Sequence, residues 1–201
     1  MRYAGRSWRA FRPGSAATAT IRPGACDGRV LGLDPGSQRT GFGIIDCVGS
    51  QERYIASGCI DVARHDMMTR LQRIYAAVSA LVQEHRPDTI AIERVFIHRN
   101  PDSALKLGQA RGVALCAAAQ LGARVHEYAP RAIKLAVTGY GAAGKPQVAE
   151  MVRTLLALEL ELRVTADAAD ALAVALCHAQ TRRLASLEDE TARSGASVSG
   201  S

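Results

Sequence analysis

The sequence lacks the marks of membrane, secreted and zinc-binding proteins. No apolar run in its 201 residues is long enough to span a bilayer, and no internal repeat is visible. Its five cysteines include no C-x-x-C pair and no Cys/His cluster at zinc spacing, and its five histidines share no ligand spacing. An odd, scattered set of cysteines in apolar sequence predicts reduced core thiols in a cytoplasmic protein. Hydrophobic residues make up 48%, which is ample for the core of one domain.

The folded part of the chain has less positive charge than the net charge of +6 suggests. Residues 1–29 carry six Arg and one Asp, so most of the excess lies outside the regular part of the chain. Within that part, residues 94–153 carry nine basic and three acidic groups, whereas the segments on either side are net acidic. Acidic segments around a basic middle suit an acidic site beside a polyanion, although solvated surface charge is the other reading.

The two ends of the chain show no sustained hydrophobic periodicity. Residues 1–28 are predicted to be a disordered basic extension, and residues 184–201 a disordered tail, on either side of a domain at 29–183. The Arg-rich, acid-poor start is compatible with an organellar transit peptide or with a start codon assigned too far upstream.

The domain reads as strands followed by alternating helices and strands, which predicts an α/β fold with a mixed five-stranded sheet flanked by helices. The first three strands are expected to form an antiparallel meander. Predicted strands are 30–34, 40–46, 54–61, 89–93 and 124–128; predicted helices are 67 to about 85, 101 to about 121, 130–137, 146 to about 158 and 165–182.

Four carboxylates lie where apolar segments end. Asp34 follows Val30–Leu33, Glu93 follows Ile90–Ile92, and Asp167 and Asp170 interrupt an alanine-rich helix. Because an unpaired buried carboxylate is strongly unfavourable, such acids are usually paired or bind a metal. Oxygen ligands from three separate segments predict a Mg²⁺ or Mn²⁺ site and metal-assisted phosphoryl chemistry.

Each motif also has a plainer interpretation. Asp167 and Asp170 share a helix face at a helix N-terminus, as an N-cap and a first-turn acid would. Asp34-Pro35-Gly36 resembles an ordinary strand-ending turn, or the phosphate loop of actin-like ATPases, which need a far longer chain. Lys134 and Lys145 flank a glycine-rich loop, either on backbone phosphates or in solvent. Phe96, between Arg94 and Arg99, either joins the core or stacks on an unpaired base.

Together these motifs resemble the RuvC family of Holliday-junction resolvases (crossover junction endodeoxyribonucleases), in the ribonuclease H-like superfamily. The resemblance covers residues 30–181 in order. It is carried by these segments: Leu31–Ser37, Thr40–Gly43, Ala91–Phe96, Asn100–Val113, Lys145–Val148, Met151–Leu156 and Ala166–Ala173.

The resemblance implies a homodimer that nicks opposing strands of a four-way junction and works with the RuvAB branch-migration complex. It implies that Asp34, Glu93, Asp167 and Asp170 hold two Mg²⁺ ions, with Mn²⁺ as a substitute, for hydrolysis. Lys145 is expected to stabilise charge at the scissile phosphate. The residues expected to contact DNA are Arg94, Phe96, Arg99, Lys106, Arg111, Lys134 and Lys145.

Other interpretations stay open at this stage. A related nuclease could act on ribosomal RNA precursors, or a non-catalytic protein could bind junctions and use the acids only for structure. The helix starting near Pro101 carries Gly108 and Gly112 on one face, flanked by Leu105 and Leu115; it is expected to form the dimer, or else to pack on its own sheet. The segment 158–163 lacks the family's proline-broken loop and could extend a helix.

Overall fold

The computed structural model describes residues 27–94 and 101–196. Its strands are β1 (Gly28–Asp34), β2 (Arg39–Val48), β3 (Gln51–Asp61), β4 (Thr89–Glu93) and β5 (Arg124–Tyr128). Its helices are α1 (Met67–His85), α2 (Pro101–Ala118), α3 (Pro130–Thr138), α4 (Lys145–Leu155) and α5 (Ala166–Ala196), with a 3-10 turn at Ala119–Leu121 after α2.

The five strands form one mixed sheet in the order β3-β2-β1-β4-β5. Strands β1, β2 and β3 are antiparallel neighbours, so the predicted meander is confirmed. Strands β1, β4 and β5 are parallel, with helices connecting them. The predicted α/β fold with a mixed five-stranded sheet is therefore confirmed.

Alternation along the strands divides the core into two layers. Leu31 and Leu33 of β1 point to the face covered by α1 and α2, where they join Ile90 and Ile92 of β4. Val30 and Ala91 point to the other face, which packs against α3, α4 and α5. By the same period of two, Asp34 and Glu93 project on the α5 side of the sheet.

Helix α5 lies unusually close to the sheet because glycines remove the side chains beneath it. A Cβ on Gly41 would lie 2.0 Å from the backbone oxygen of Asp167, and one on Gly32 would lie 2.1 Å from that of Ala171. Real Cβ atoms do not approach backbone this closely, so both positions require glycine. The close contact sets the first turn of α5 beside the carboxyl end of β1.

Hydrogen bonds from one arginine fix the opposite end of β1. Arg29 donates from Nε and Nη2 to both carboxylate oxygens of Asp46, at 2.7 and 2.8 Å, and from its backbone N–H to Asp88 at 2.7 Å. Its Nη1 donates to the His85 carbonyl at the end of α1. The hydrogen bonds from Arg29 hold the pKa of Asp46 below its ordinary value.

Some predicted boundaries are wrong. Helix α5 does not end at Arg182 but continues to Ala196, through most of the tail predicted to be disordered. Helix α4 ends at Leu155, and residues 158–163 do not extend it. There Arg153 donates to the carbonyls of Glu159 and Leu162, which holds the segment in turns instead.

The described cysteines are free thiols, but not all of them belong to the core. Cys47 and Cys177 are buried, Cys59 is partly buried, and Cys116 is exposed, which corrects the expectation of core thiols for that residue. Over residues 27–94 and 101–196, no helix combines the length and the apolar character that crossing a bilayer would require.

Candidate active site

The sheet register places Asp34 and Glu93 side by side. Strands β1 and β4 pair in parallel from Val30 opposite Thr89 to Leu33 opposite Ile92, so the next residue on each strand is an acid. Both acids end their strands at the same edge and on the same face. Their carboxyl groups share a hydrogen bond.

Helix α5 brings the second pair of acids to this edge. Asp167 and Asp170 lie in its first turns, on the α5 side of the sheet where Asp34 and Glu93 project. The negative charges of Asp170 and Asp167 both contribute to raising the pKa of Asp34. The four acids predicted from the sequence therefore converge at one end of the sheet.

This convergence makes the fully ionised form of the site unfavourable. Burial is the main cause that raises the pKa of Asp34, and the charges of Asp170 and Asp167 add to it. Burial, followed by the charge of Asp34, raises the pKa of Glu93 to about 7. Near neutral pH these raised pKa values favour a proton on the Asp34–Glu93 pair, because burial and the neighbouring acids outweigh the opposing charge of Lys145.

Lys145 is the cation that faces these acids. Its ammonium group lies 2.6 Å from Oδ2 of Asp170, and this hydrogen bond is the main reason that its own pKa is raised. Lys145 begins α4, directly after the loop of residues 139–144, and its side chain is 75% exposed. The contact with Asp170 therefore fixes the ammonium group of a side chain that is mostly exposed to solvent.

A pocket of about 220 Å³ opens at this edge of the sheet. Three of the acids line it, together with both predicted lysines; the lining includes Asp34, Glu93, Asp170, Lys134 and Lys145. Three of the four predicted acids and the two predicted phosphate-binding lysines therefore share one cavity, which Asp167 does not line.

Asp167 differs from the other acids in its orientation. Its Oδ2 accepts a hydrogen bond from the Cys59 thiol on β3, with a sulfur–oxygen distance of 3.5 Å. Burial, and then the charge of Asp167, raises the pKa of Cys59 to about 11, so the thiol stays protonated and can donate. Sequence reasoning missed Cys59, since 108 residues separate the two and no local pattern connects them.

The donor chemistry of the site fits a divalent cation. Carboxylate oxygens are the ligands that Mg²⁺ and Mn²⁺ prefer, and burial together with the neighbouring acids raises the pKa values of Asp34 and Glu93, which a bound cation would oppose. Across the described residues, however, no three His, Cys, Asp or Glu side chains are already arranged as a metal-binding cluster. In this arrangement the ammonium group of Lys145 pairs with Asp170, and the raised pKa values of Asp34 and Glu93 favour their protonation. The acids therefore provide the ligands but not a preformed coordination shell.

Two of the predicted DNA-binding arginines have acidic partners within the chain. Arg111 on α2 lies 2.7 Å from Oε1 of Glu127, and its side chain is only 19% exposed. Arg94 lies 3.7 Å from Oε2 of the same glutamate. Glu127, which sequence reasoning missed, thus holds α2 and the end of β4 against β5.

The remaining predicted DNA contacts lie along α2 and in the segment before it. Lys106 lies on the exposed side of α2 and pairs with Asp102 at 2.6 Å. Phe96 and Arg99 lie outside the described residues, so their predicted roles stay predictions. Neither the core nor the base-stacking interpretation of Phe96 is tested.

The glycine face of α2 is directed away from the other residues that the structure describes. A Cβ on Gly108 or Gly112 would meet nothing within 4 Å, and Leu105 beside them is largely exposed. The helix packs instead through Ala110 and Ala114, which are fully buried against the α1 side of the core. The helix therefore packs on the chain's own core through its alanine face, as one of the two expectations had it, and the dimer through its glycine face stays a prediction.

Two lines of comparison give the relatives of this sequence and fold. Residues 30–178 match the family model described as crossover junction endodeoxyribonuclease RuvC. Proteins of that name from Alkalilimnicola ehrlichii and Serratia proteamaculans are 51% and 55% identical, over 75% and 74% of this chain and 90% and 85% of theirs.

Solved structures agree with these sequence matches. A structure titled T. thermophilus RuvC in complex with Holliday junction substrate superposes with a TM-score of 0.73 at 35% identity, covering 79% of this chain and 97% of that one. The yeast mitochondrial Holliday junction resolvase Ydc2 shares the fold, with a TM-score of 0.60 at 14% identity, over 83% of this chain and 82% of its own.

Proposed function

The chain belongs to the RuvC family of crossover junction endodeoxyribonucleases, and we propose that it resolves Holliday junctions by paired, metal-dependent nicks in opposing DNA strands during recombination and repair. The observation that carries the proposal is the convergence of Asp34, Glu93 and Asp170 with Lys134 and Lys145 on one pocket at the sheet edge. Acids for metal ions and cations for phosphates, in one cavity, are what hydrolysis of a phosphodiester needs.

Asp34, Glu93, Asp167 and Asp170 are the residues that would hold the metal. When bound, two Mg²⁺ ions, or Mn²⁺ in their place, supply the charge that activates water and stabilises the leaving oxygen. To hold a metal in this way, Asp34 and Glu93 would have to be ionised, and Asp170 would have to exchange its contact with Lys145 for the metal.

The chain's own residues then have distinct tasks. Lys145, once free of Asp170, has its ammonium group beside the acids, where it can hold a scissile phosphate oxygen and stabilise developing charge. Lys134 lines the same pocket and fits a neighbouring phosphate. The Cys59 thiol orients the Asp167 carboxylate by donating to it.

Paired nicks require two sites, so the working form is proposed to be a homodimer. A four-way junction has two-fold symmetry, and a two-fold dimer presents two identical sites to it. The exposed face of α2 around Gly108 and Gly112 is the proposed interface, because glycine in a helix costs about 1 kcal/mol relative to alanine and two on one exposed face indicate a close partner.

The wider setting follows from family resemblance. The RuvAB branch-migration complex is the proposed protein partner, and the cytoplasm is the proposed location. Residues 1–28 are proposed to be a basic extension that adds salt-sensitive, non-specific DNA affinity without contributing to cleavage.

The direct test of the function is cleavage of a mobile four-way junction, read on a denaturing gel with Mg²⁺ and with EDTA. The proposal predicts Mg²⁺-dependent nicks at symmetric positions in opposing strands, and little cleavage of a linear duplex of the same sequence. Binding without any nicking would instead identify a non-catalytic junction-binding protein. Preferential cleavage of structured RNA would favour the ribosomal RNA alternative.

A single substitution tests the proposed dimer interface. Gly112→Leu places a branched side chain on the exposed face of α2, where none of the described residues comes within 4 Å of an added Cβ. The variant should fold normally by circular dichroism, sediment as a monomer and produce single rather than paired cuts. A variant that stays dimeric and cuts both strands together would place the interface elsewhere.

A further inference from the structure

A second concavity lies beside the acidic pocket. It has a volume of about 670 Å³ and shares two lining residues, Pro130 and Lys134, with that pocket. Its other walls come from the end of α3 and the loop that follows, and they include Arg131, Leu135 and Tyr140. The two cavities therefore form one continuous surface on either side of Lys134.

Two large apolar side chains stand exposed in this second concavity. Tyr140 is 63% exposed and Leu135 is 54% exposed, and they line it together with Arg131 and Lys134. Single exposed apolar residues need no explanation, but an aromatic and a leucine between two cations form a mixed surface. Such a surface presents flat apolar area to a base and positive charge to the adjoining phosphates.

The loop that carries Tyr140 is firmly built. The Thr138 hydroxyl accepts from the Tyr140 backbone N–H at 3.1 Å and lies 2.8 Å from the Lys134 carbonyl, to which it donates. The Tyr140 carbonyl accepts from the Ala143 N–H at 3.0 Å. Gly141 packs so closely on Arg131 that an added Cβ would lie 2.9 Å from its Cγ. The backbone of Tyr140 is therefore held in a fixed place beside α3, which carries both cations.

We propose that Tyr140 and Leu135 form a shelf that receives a nucleotide base next to the scissile phosphate, with Arg131 and Lys134 on the flanking phosphates. This inference rests on the proposed function, because it extends the same DNA strand out of the acidic pocket. The strand leaves that pocket past Lys134, and the shelf is the surface on the other side of this residue. Unpaired bases near a junction centre offer the π-face that an exposed tyrosine stacks on.

Stacking of a base on the shelf differs from a phosphate contact in how binding depends on salt. Removing an aromatic platform under one base lowers affinity by about 5- to 150-fold. It leaves the number of neutralised phosphates unchanged, so the salt dependence of binding should stay the same. Removing a phosphate-binding lysine should instead reduce the slope of log affinity against log salt by about 1.

The test compares full-length wild type, Tyr140→Ala, Tyr140→Phe and Lys134→Ala on a fluorescent four-way junction, with binding measured by anisotropy in Ca²⁺ across a salt series. Val48→Ala is the control, since Val48 is an exposed apolar residue at the end of β2 that is farther from the acidic pocket. We expect Tyr140→Ala to bind on the order of 10-fold more weakly with an unchanged salt slope, Tyr140→Phe and Val48→Ala to match wild type, and Lys134→Ala to reduce the slope.

Junctions with a single abasic site on either side of the cut then locate the base. At one position the abasic junction should bind wild type more weakly, and Tyr140→Ala should lose nothing further there. The proposal is overturned if wild type cuts the junction while Tyr140→Ala binds it equally well, or if Tyr140→Ala alters only the oligomeric state, which would make the shelf a protein contact. Failure of wild type to cut any junction would instead overturn the proposed function.

Discussion

The two ends of strand β1 hold acidic residues in opposite ways. At its start, Asp46 and Asp88 both accept hydrogen bonds from Arg29, and the pKa of Asp46 is lowered. At its end, Asp34 has an acid as its neighbour, and its pKa is raised by burial and by further acids. At the start of β1, Arg29 compensates the charge of the acids. At its end, Asp34 lies beside further acids instead.

This difference separates an acid that stabilises the fold from one that performs chemistry. A paired carboxylate contributes to stability in its ionised form, whereas a cluster of acids lowers stability until a cation from outside joins it. The paired end holds α1 and the sheet together. The unpaired end is where a metal and a phosphodiester are proposed to bind.

The largest expected effect is on cleavage. Asp34→Asn or Asp170→Asn should lower the junction-cleavage rate by on the order of 10³-fold or more, because several kcal/mol of transition-state stabilisation depend on the metal. Junction affinity should change little, since phosphate contacts come from basic residues. Single-turnover cleavage and anisotropy measure the two quantities. Asp46→Asn, at the paired end, is the control and should cut at nearly the wild-type rate; equal losses in all three variants would remove the distinction.

The second prediction concerns the close packing of α5 on the sheet, which brings Asp167 and Asp170 to the end of β1. Gly41→Ala would place a Cβ 2.0 Å from the Asp167 backbone oxygen and force α5 away from the sheet. Overpacking of this kind costs about 1–3 kcal/mol, and it should also abolish cleavage by displacing Asp167 and Asp170. Urea unfolding checks the stability. Gly144→Ala, where the added Cβ meets nothing closer than 3.7 Å, should lose much less; similar losses would argue against close packing as the cause.

The third effect is smaller and depends on pH. The pKa of Glu93 is raised to about 7 in the folded chain, so the folded state binds a proton that the unfolded state has released. The stabilisation is fully present below the ordinary glutamate pKa near 4.5 and is lost as the pH rises through about 7. Asp46 behaves in the opposite sense, because its stabilising contribution is lost on acidification.

Thermal unfolding in EDTA between pH 5 and pH 8 measures this difference. Wild type should lose stability relative to Glu93→Gln as the pH rises, because the glutamine cannot ionise. A constant difference between the two proteins over this range would show that Glu93 does not carry the proton.

Much of the fold could be read from local patterns, and the reasons are physical. The strand periods, the amphipathic α1 and the glycines of β2 are local features, and they led to the correct sheet. The placement of Asp34 and Glu93 followed because parallel strands that end in acids meet at one edge of a sheet. The end of α5 was missed because the polar, serine- and glycine-containing sequence after Ala185 gives a weak helix signal.

The contacts between distant segments could not be read in this way. Cys59 reaches Asp167 only because Gly41 lets α5 lie close to the neighbouring strands β2 and β3. Glu127 neutralises Arg111 only because β5 runs parallel to β4 and faces α2. We predicted from the sequence that Arg111 contacts DNA, because no neighbouring residue indicates that it pairs with Glu127.

The most direct test of the contrast between the two ends of β1 is the free energy of unfolding of Asp34→Asn and Asp46→Asn, measured by urea denaturation in metal-free buffer at pH 8. Asp46→Asn should be less stable than wild type by about 1–2 kcal/mol, because it weakens a two-fold, charge-assisted contact with Arg29. Asp34→Asn should be as stable as wild type or more stable, because it removes a negative charge that the folded chain does not balance. A loss of stability in Asp34→Asn equal to that in Asp46→Asn would show that both ends are held by the chain itself, and would contradict this explanation of the site.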